Sequence, residues 1–287
     1  MLGALLMALC ASLCWGVADV IAGVQTRRLS ILSVLVVSQP VGLLASALWV
    51  AVSGSQHPSS DALIAAFGAG IAGAVGLGAL WLAMAIGMFG LASPISATGV
   101  LIPLAYGIIR GEPLGTVALI GAVLAIGGLL VAVSAPSTAG SRPAGSAAAA
   151  SGLAALAAIC FGLLFTGIGV AARNSPAWAL LAARSGAGVA LAASLIVAHA
   201  GSRRQAGIPR QSLVALALVG ALETGGSALY ALAAHSGHLG LAAVAASLYP
   251  AVTVIIAALL LGERLSVTQQ AGVLAIIAGV AMIGRGV

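Results

Sequence analysis

Ten runs of about twenty apolar residues, parted by short polar breaks, leave this chain little choice of solvent. A helix needs about 20 residues to cross the hydrocarbon core of a bilayer, which is about 30 Å thick. Runs that meet or approach that length fall at about 3–23, 30–52, 62–85, 90–109, 115–135, 151–171, 178–199, 211–234, 240–261 and 267–284. Charged residues make up 6% of the 287 positions, hydrophobic residues 62%, and the mean hydropathy is +1.22. A soluble domain carries about 25% charge. The expected fold is therefore all-α and embedded in a membrane, with ten transmembrane helices. Several runs are rich in Ala and Gly, which lets helices approach closely in a compact bundle.

The chain also repeats itself. Gly90-Leu91-Ala92 returns as Gly240-Leu241-Ala242, and Gly111-Glu112-Pro113-Leu114 as Gly262-Glu263-Arg264-Leu265. Gly121 and Gly128 return as Gly272 and Gly279, Cys14-Trp15-Gly16 as Cys160-Phe161-Gly162, and Arg27 falls opposite Arg173. The spacing is about half the chain, so one unit has been duplicated. The Pro-, Ser- and Gly-rich stretch from Pro136 to Ser146 reads as the linker. This gives a first repeat at 1–135, a linker at 136–150 and a second repeat at 151–287, with five helices in each repeat. Five is odd, so the second half enters the membrane from the opposite side. The two halves are then inverted repeats related by a pseudo-two-fold axis in the membrane plane.

The net charge of +6 does not point to nucleic acid. The bases are scattered between apolar runs, and aromatics at 4% offer no stacking platform. Their role is topological. With loops alternating sides, Arg27, Arg28, Arg142, Arg203, Arg204, Arg210 and Arg264 share one side, against Arg110, Arg173 and Arg285 on the other. The positive-inside rule puts the larger group in the cytoplasm and both termini outside. Cys10, Cys14 and Cys160 lie in apolar runs and read as structural thiols, with no metal site or disulfide framework. The first run lacks a basic leader and is read as a retained span.

Ionisable groups inside a span are functional candidates, because burial in hydrocarbon costs several kcal/mol. Glu223 lies about 18 Å into the eighth span, close to the midplane. Gly226, Ser227 and Tyr230 follow it on the same face, giving one polar stripe for substrate binding or proton coupling, with structural hydrogen bonding as the alternative. Asp19 shares a face with Ser12 and Trp15, near the end of the first span. Arg184 lies about 9 Å into the seventh span, where it could take a substrate carboxylate, pair with Glu223 or Asp19, or snorkel. Its counterpart region is Ser38-Gln39-Pro40, so the repeat does not preserve this charge. Glu112 and Glu263 suit helix N-termini as caps. Pro94 and Pro103 interrupt the fourth span and Pro250 the ninth, with Ser93, Ser96, Thr98, Ser247 and Tyr249 close by. Broken helices at matching places in two halves point to a binding site. His235 and His238 read as a solvated, pH-sensitive loop rather than a metal site.

Cys14-Trp15-Gly16-Val17-Ala18-Asp19, Arg27-Arg28, Ser247-Leu248-Tyr249-Pro250-Ala251-Val252-Thr253, Leu261-Gly262-Glu263-Arg264-Leu265 and Gly272 together resemble the EamA branch of the drug/metabolite transporter superfamily. The likeness covers nearly the whole chain as two EamA units. It departs where Pro113 follows Gly111-Glu112 in place of the Arg at 264. The resemblance implies ten spans, inverted five-helix repeats, and a central cavity lined by spans 1, 3, 4, 6, 8 and 9. Trp15, Asp19, Trp81, Glu223, Tyr230 and Tyr249 are compatible with such a lining. It also implies export of amino acids or other small metabolites. It places both termini in the cytoplasm, against the arginine count.

The expected activity is secondary active export of a small metabolite such as an amino acid, by alternating access in the cell (inner) membrane, with protons as the candidate coupling ion. The chain has no Lys and hence no phosphate-binding loop ending in Lys. No cofactor is expected. The partners are the small-molecule substrate and the lipid bilayer. The rivals are a transporter-derived scaffold or sensor, and an intramembrane enzyme. The latter needs a Ser–His pair inside the bundle, whereas His57, His199, His235 and His238 fall in loops or at span ends.

Overall fold

The computed structural model describes residues 2–87, 89–110, 115–134, 144–200, 207–235, 239–261 and 266–285. All regular structure among them is helical. The first half comprises α1 (Leu2–Thr26), α2 (Ile31–Ser53), α3 (Ser60–Ile86), α4 (Phe89–Ala97), α5 (Leu101–Ile109) and α6 (Thr116–Ser134). The second comprises α7 (Ala144–Ala172), α8 (Pro176–Ala200), α9 (Arg210–His235), α10 (Leu239–Ala246), α11 (Tyr249–Leu261) and α12 (Val267–Arg285). The Glu112 and Glu263 motifs, Arg142, Arg203, Arg204, Arg264, His238 and the start of the expected linker lie outside the described residues. The end of that linker is helical, since α7 begins at Ala144.

Seven described helices are long and apolar enough to cross a membrane, against the ten expected. They are Leu6–Thr26, Ile31–Ser53, Ser60–Ile86, Ala92–Ile109, Ala147–Ala172, Pro176–Ala198 and Arg210–His235. Leu119–Gly128 and Val267–Gly279 are shorter apolar helices. The expected ninth span is divided between α10 and α11 by a turn at Ser247 and Leu248. The outer faces are apolar. Leu44, Leu48, Val123, Leu130, Val197, Val214 and Leu259 are all exposed, as side chains that meet lipid must be.

Each broken helix parts at a corresponding place in its half. In the first, a single 3₁₀ turn at Thr98–Val100 separates α4 from α5. In the second, the break falls at residues 247–248. Pro103 and Pro250 stand in the first turns of α5 and α11, where helix N–H groups have no intrahelical acceptor. They begin the second segment instead of kinking a continuous one. Pro94 stands inside α4.

Glycine brings the two halves together, and each close approach recurs with the halves exchanged. A Cβ on Gly16 of α1 would collide with Val252 and the Tyr249 carbonyl at the α11 break. A Cβ on Gly162 of α7 would collide with Ile102 and the Gly99 carbonyl at the α4–α5 break. Gly220 of α9 meets the Ser38 backbone of α2, and Gly70 of α3 meets the Ala183 backbone of α8. Gly128 of α6 meets Gly272 of α12, while Gly279 of α12 meets Gly121 of α6. The small residues that were expected to let helices approach closely are thus points where backbones of the two halves meet.

Candidate functional site

A cavity of about 50 Å³, room for a small cluster of waters, opens inside the bundle between the halves. Its lining comes from α1, α2, α3, α7, α8, α9 and α11. Glu223 lies near the middle of the 26-residue α9 and faces the cavity, as does Ser227 one turn on. Asp19 and Trp15 lie one turn apart on α1 and both face it. Asp19 was expected near the end of its span. α1 continues to Thr26, so the carboxylate sits about two turns inside and is 2% exposed.

Four hydrogen bonds hold these groups. Arg184 on α8 donates from Nη2 to Ser227 Oγ at 3.1 Å, and Ser227 Oγ donates to the Glu223 carbonyl at 2.7 Å. Trp15 Nε1 donates to the same carbonyl at 3.2 Å. Trp81 Nε1 on α3 donates to Asp19 Oδ1 at 3.2 Å. Arg184 also acts electrostatically on Glu223, and Glu223 on Asp19. Arg184 is 8% exposed, so snorkelling does not describe it. Gly42 on α2 lies beside its stem, and a Cβ there would collide with Thr224 Oγ1.

Aromatic rings form one wall. Trp15 stacks on Phe165 with centroids 5.3 Å apart and meets Tyr249 edge-on at 6.4 Å. Tyr249 hydrogen-bonds Ser96 on α4 through its hydroxyl, which ties the two broken helices together.

Of the residues singled out from sequence, Trp15, Asp19, Arg184, Glu223, Ser227 and Tyr249 line the cavity. Trp81 and Tyr230 do not. Both are fully buried one layer behind, where Trp81 holds Asp19 and the Tyr230 hydroxyl donates to the Phe165 carbonyl at 2.9 Å. Each large ring needs packing on all sides and an acceptor for its polar tip, and the layer behind the wall supplies both. Pro103 and Pro250 stand at the breaks and Pro94 inside α4, and none of the three lines the cavity.

The lining set implied by the resemblance also changes. α2 and α8, the second and seventh spans, contribute Gln39 and Arg184, and no described residue of the fourth span lines the cavity. The close crossings of α2 with α9 and of α8 with α3, at Gly220 and Gly70, bring these helices inward. Gln39, Phe161 and Phe165 are the functional candidates that the sequence reading did not select. Gln39 is 4% exposed, with its amide oxygen unpartnered among the described residues. Its signal was its place opposite Arg184 in the repeat. Among the described residues, no group of three or more His, Cys, Asp or Glu is placed to hold a metal. Cys10, Cys14 and Cys160 are free.

Lipid-compatible outer faces around an internal cavity that carries buried charged side chains define a multi-pass membrane protein. Residues 2–134 and 149–285 each match the model of the EamA-like transporter family, and the chain belongs to that family, within the drug/metabolite transporter superfamily. Comparison with curated proteins gave no match. Among 23 matching chains of solved structure, the crystal structure of one protein aligns with a TM-score of 0.69. The alignment covers 97% of this chain and 95% of the other at 17% identity, a likeness of fold alone.

Proposed function

We propose that this protein is a secondary transporter of the cell membrane that exports a small polar or amphipathic metabolite by alternating access, driven by proton exchange through Glu223. The observation that carries the reading is the cavity between the halves, with a carboxyl at the centre of a long apolar helix facing into it. A carboxyl there can take up a proton from one side and release it to the other as access alternates.

The exchange of contacts between halves supports ten spans arranged as two inverted repeats, with the pseudo-two-fold axis passing through the cavity. In that arrangement one half rocks against the other, and the site opens to each side in turn. The small cavity volume fits this reading, since a metabolite enters only when the helices part. Asp19, nearby and tied to Trp81, is the second proton candidate.

The test is proton-driven flux in proteoliposomes. Glu223→Gln keeps the size and polarity of the side chain and removes its titration. Loss of pH-driven transport in a folded, inserted variant supports the assignment. Undiminished transport removes Glu223 from the coupling step.

A further inference from the structure

We propose that the cavity selects organic amines, meaning an ammonium group on a compact aromatic or branched apolar body, in preference to the corresponding amino acid or carboxylic acid. The inference rests on reading this cavity as the substrate site of a transporter.

Three charged side chains line the cavity: Asp19, Arg184 and Glu223. Arg184 donates through Nη2 to Ser227 at 3.1 Å and interacts electrostatically with Glu223. Among the described lining residues, one cation therefore stands against two carboxyls. The hydrogen-bond partner of Asp19 among the described residues is the neutral indole of Trp81, at 3.2 Å. The indole fixes the direction of the carboxylate without neutralising it. A carboxyl enclosed at 2% exposure is neutralised by a proton or by a counter-charge, and a ligand ammonium that displaces the proton supplies the second.

The walls fit the same ligand. Trp15, Phe161, Phe165 and Tyr249 line the cavity, and an aromatic face attracts a cation while its area packs an apolar body. A ligand carboxylate would instead meet two acidic side chains against one cation among the described lining residues.

The probes are phenethylamine, phenylalanine and 3-phenylpropionate, which share a ring and differ in charge. Each is titrated into the purified full-length protein in detergent, with calorimetry as the readout. Phenethylamine is expected to bind at least about tenfold more tightly than either of the others. Asp19→Asn is expected to lose that advantage and Asp19→Glu to keep part of it. Equal or tighter binding of phenylalanine or phenylpropionate overturns the proposal, and so does failure of all three to bind. The comparison of probes on the unmutated protein decides the matter even where Asp19→Asn does not fold. Proton-driven flux of a metabolite mixture is measured in parallel. Flux without preference for amines removes the amine class alone, whereas absence of all flux removes the transporter reading.

Discussion

Gln39 of α2 and Arg184 of α8 occupy corresponding positions in the two halves and line the same cavity. The close approaches fix that register, because Gly220 meets the Ser38 backbone as Gly70 meets that of Ala183. Carrying the correspondence around the cavity pairs Trp15 with Phe161, Asp19 with Phe165, Glu223 with Gly73 and Ser227 with Leu77. One member of nearly every pair is polar and the other apolar, or one is charged and the other neutral. The backbone scaffold is shared between the halves, and the chemistry is not.

Arg184 acts electrostatically on Glu223, so their substitutions are expected not to be additive. Arg184→Gln removes the cation acting on the buried Glu223 carboxyl and the donor to Ser227, and should destabilise by about 1–3 kcal/mol. Adding Glu223→Gln should restore much of that loss. Thermal unfolding of the two single variants and the double variant in detergent measures the coupling. Strict additivity would show that the two side chains do not interact.

Trp81→Phe keeps most of the ring volume and deletes the donor to Asp19 Oδ1. Leaving a buried carboxyl oxygen without its hydrogen bond should cost about 1–3 kcal/mol. The same variant should weaken ligand binding, since the carboxylate loses its fixed direction. An unchanged melting temperature together with unchanged affinity would contradict the role given to Trp81.

The glycines separate into two kinds, and alanine substitution should tell them apart. Gly70→Ala and Gly220→Ala drive a methyl into the backbone of α8 or α2 and should cost at least about 1–3 kcal/mol. Gly68→Ala and Gly225→Ala meet open space on the same two helices and should be neutral or stabilising by up to about 1 kcal/mol. Comparable losses at all four positions would mean that the helices do not cross as described.

The hydrogen bond between Tyr249 and Ser96 joins the broken helices of the two halves. Tyr249→Phe and Ser96→Ala delete the same bond, so the double variant should be little worse than either single one. Each single loss should be about 1 kcal/mol in stability. Full summation of the two effects would place the hydroxyls in separate interactions.

Sequence by itself determined the apolar solvent, the all-helical class and the duplication. Charge at 6%, long apolar runs and recurring glycines suffice for these, because hydropathy and periodicity are local properties. It also picked out Glu223, Asp19 and Arg184, since charge inside an apolar run is conspicuous without any fold. The tertiary structure decided which faces meet. Gln39, Phe161 and Phe165 look like ordinary span residues until α2 and α7 are packed against the other half. Trp81 and Tyr230 were legible as polar-tipped rings on suitable faces, yet they stand behind the cavity wall. Contacts such as Trp15 to Glu223 join residues on opposite halves of the chain, so helix crossing geometry decides them. That geometry is set by where a missing Cβ lets two backbones touch, at Gly16, Gly70, Gly162 and Gly220.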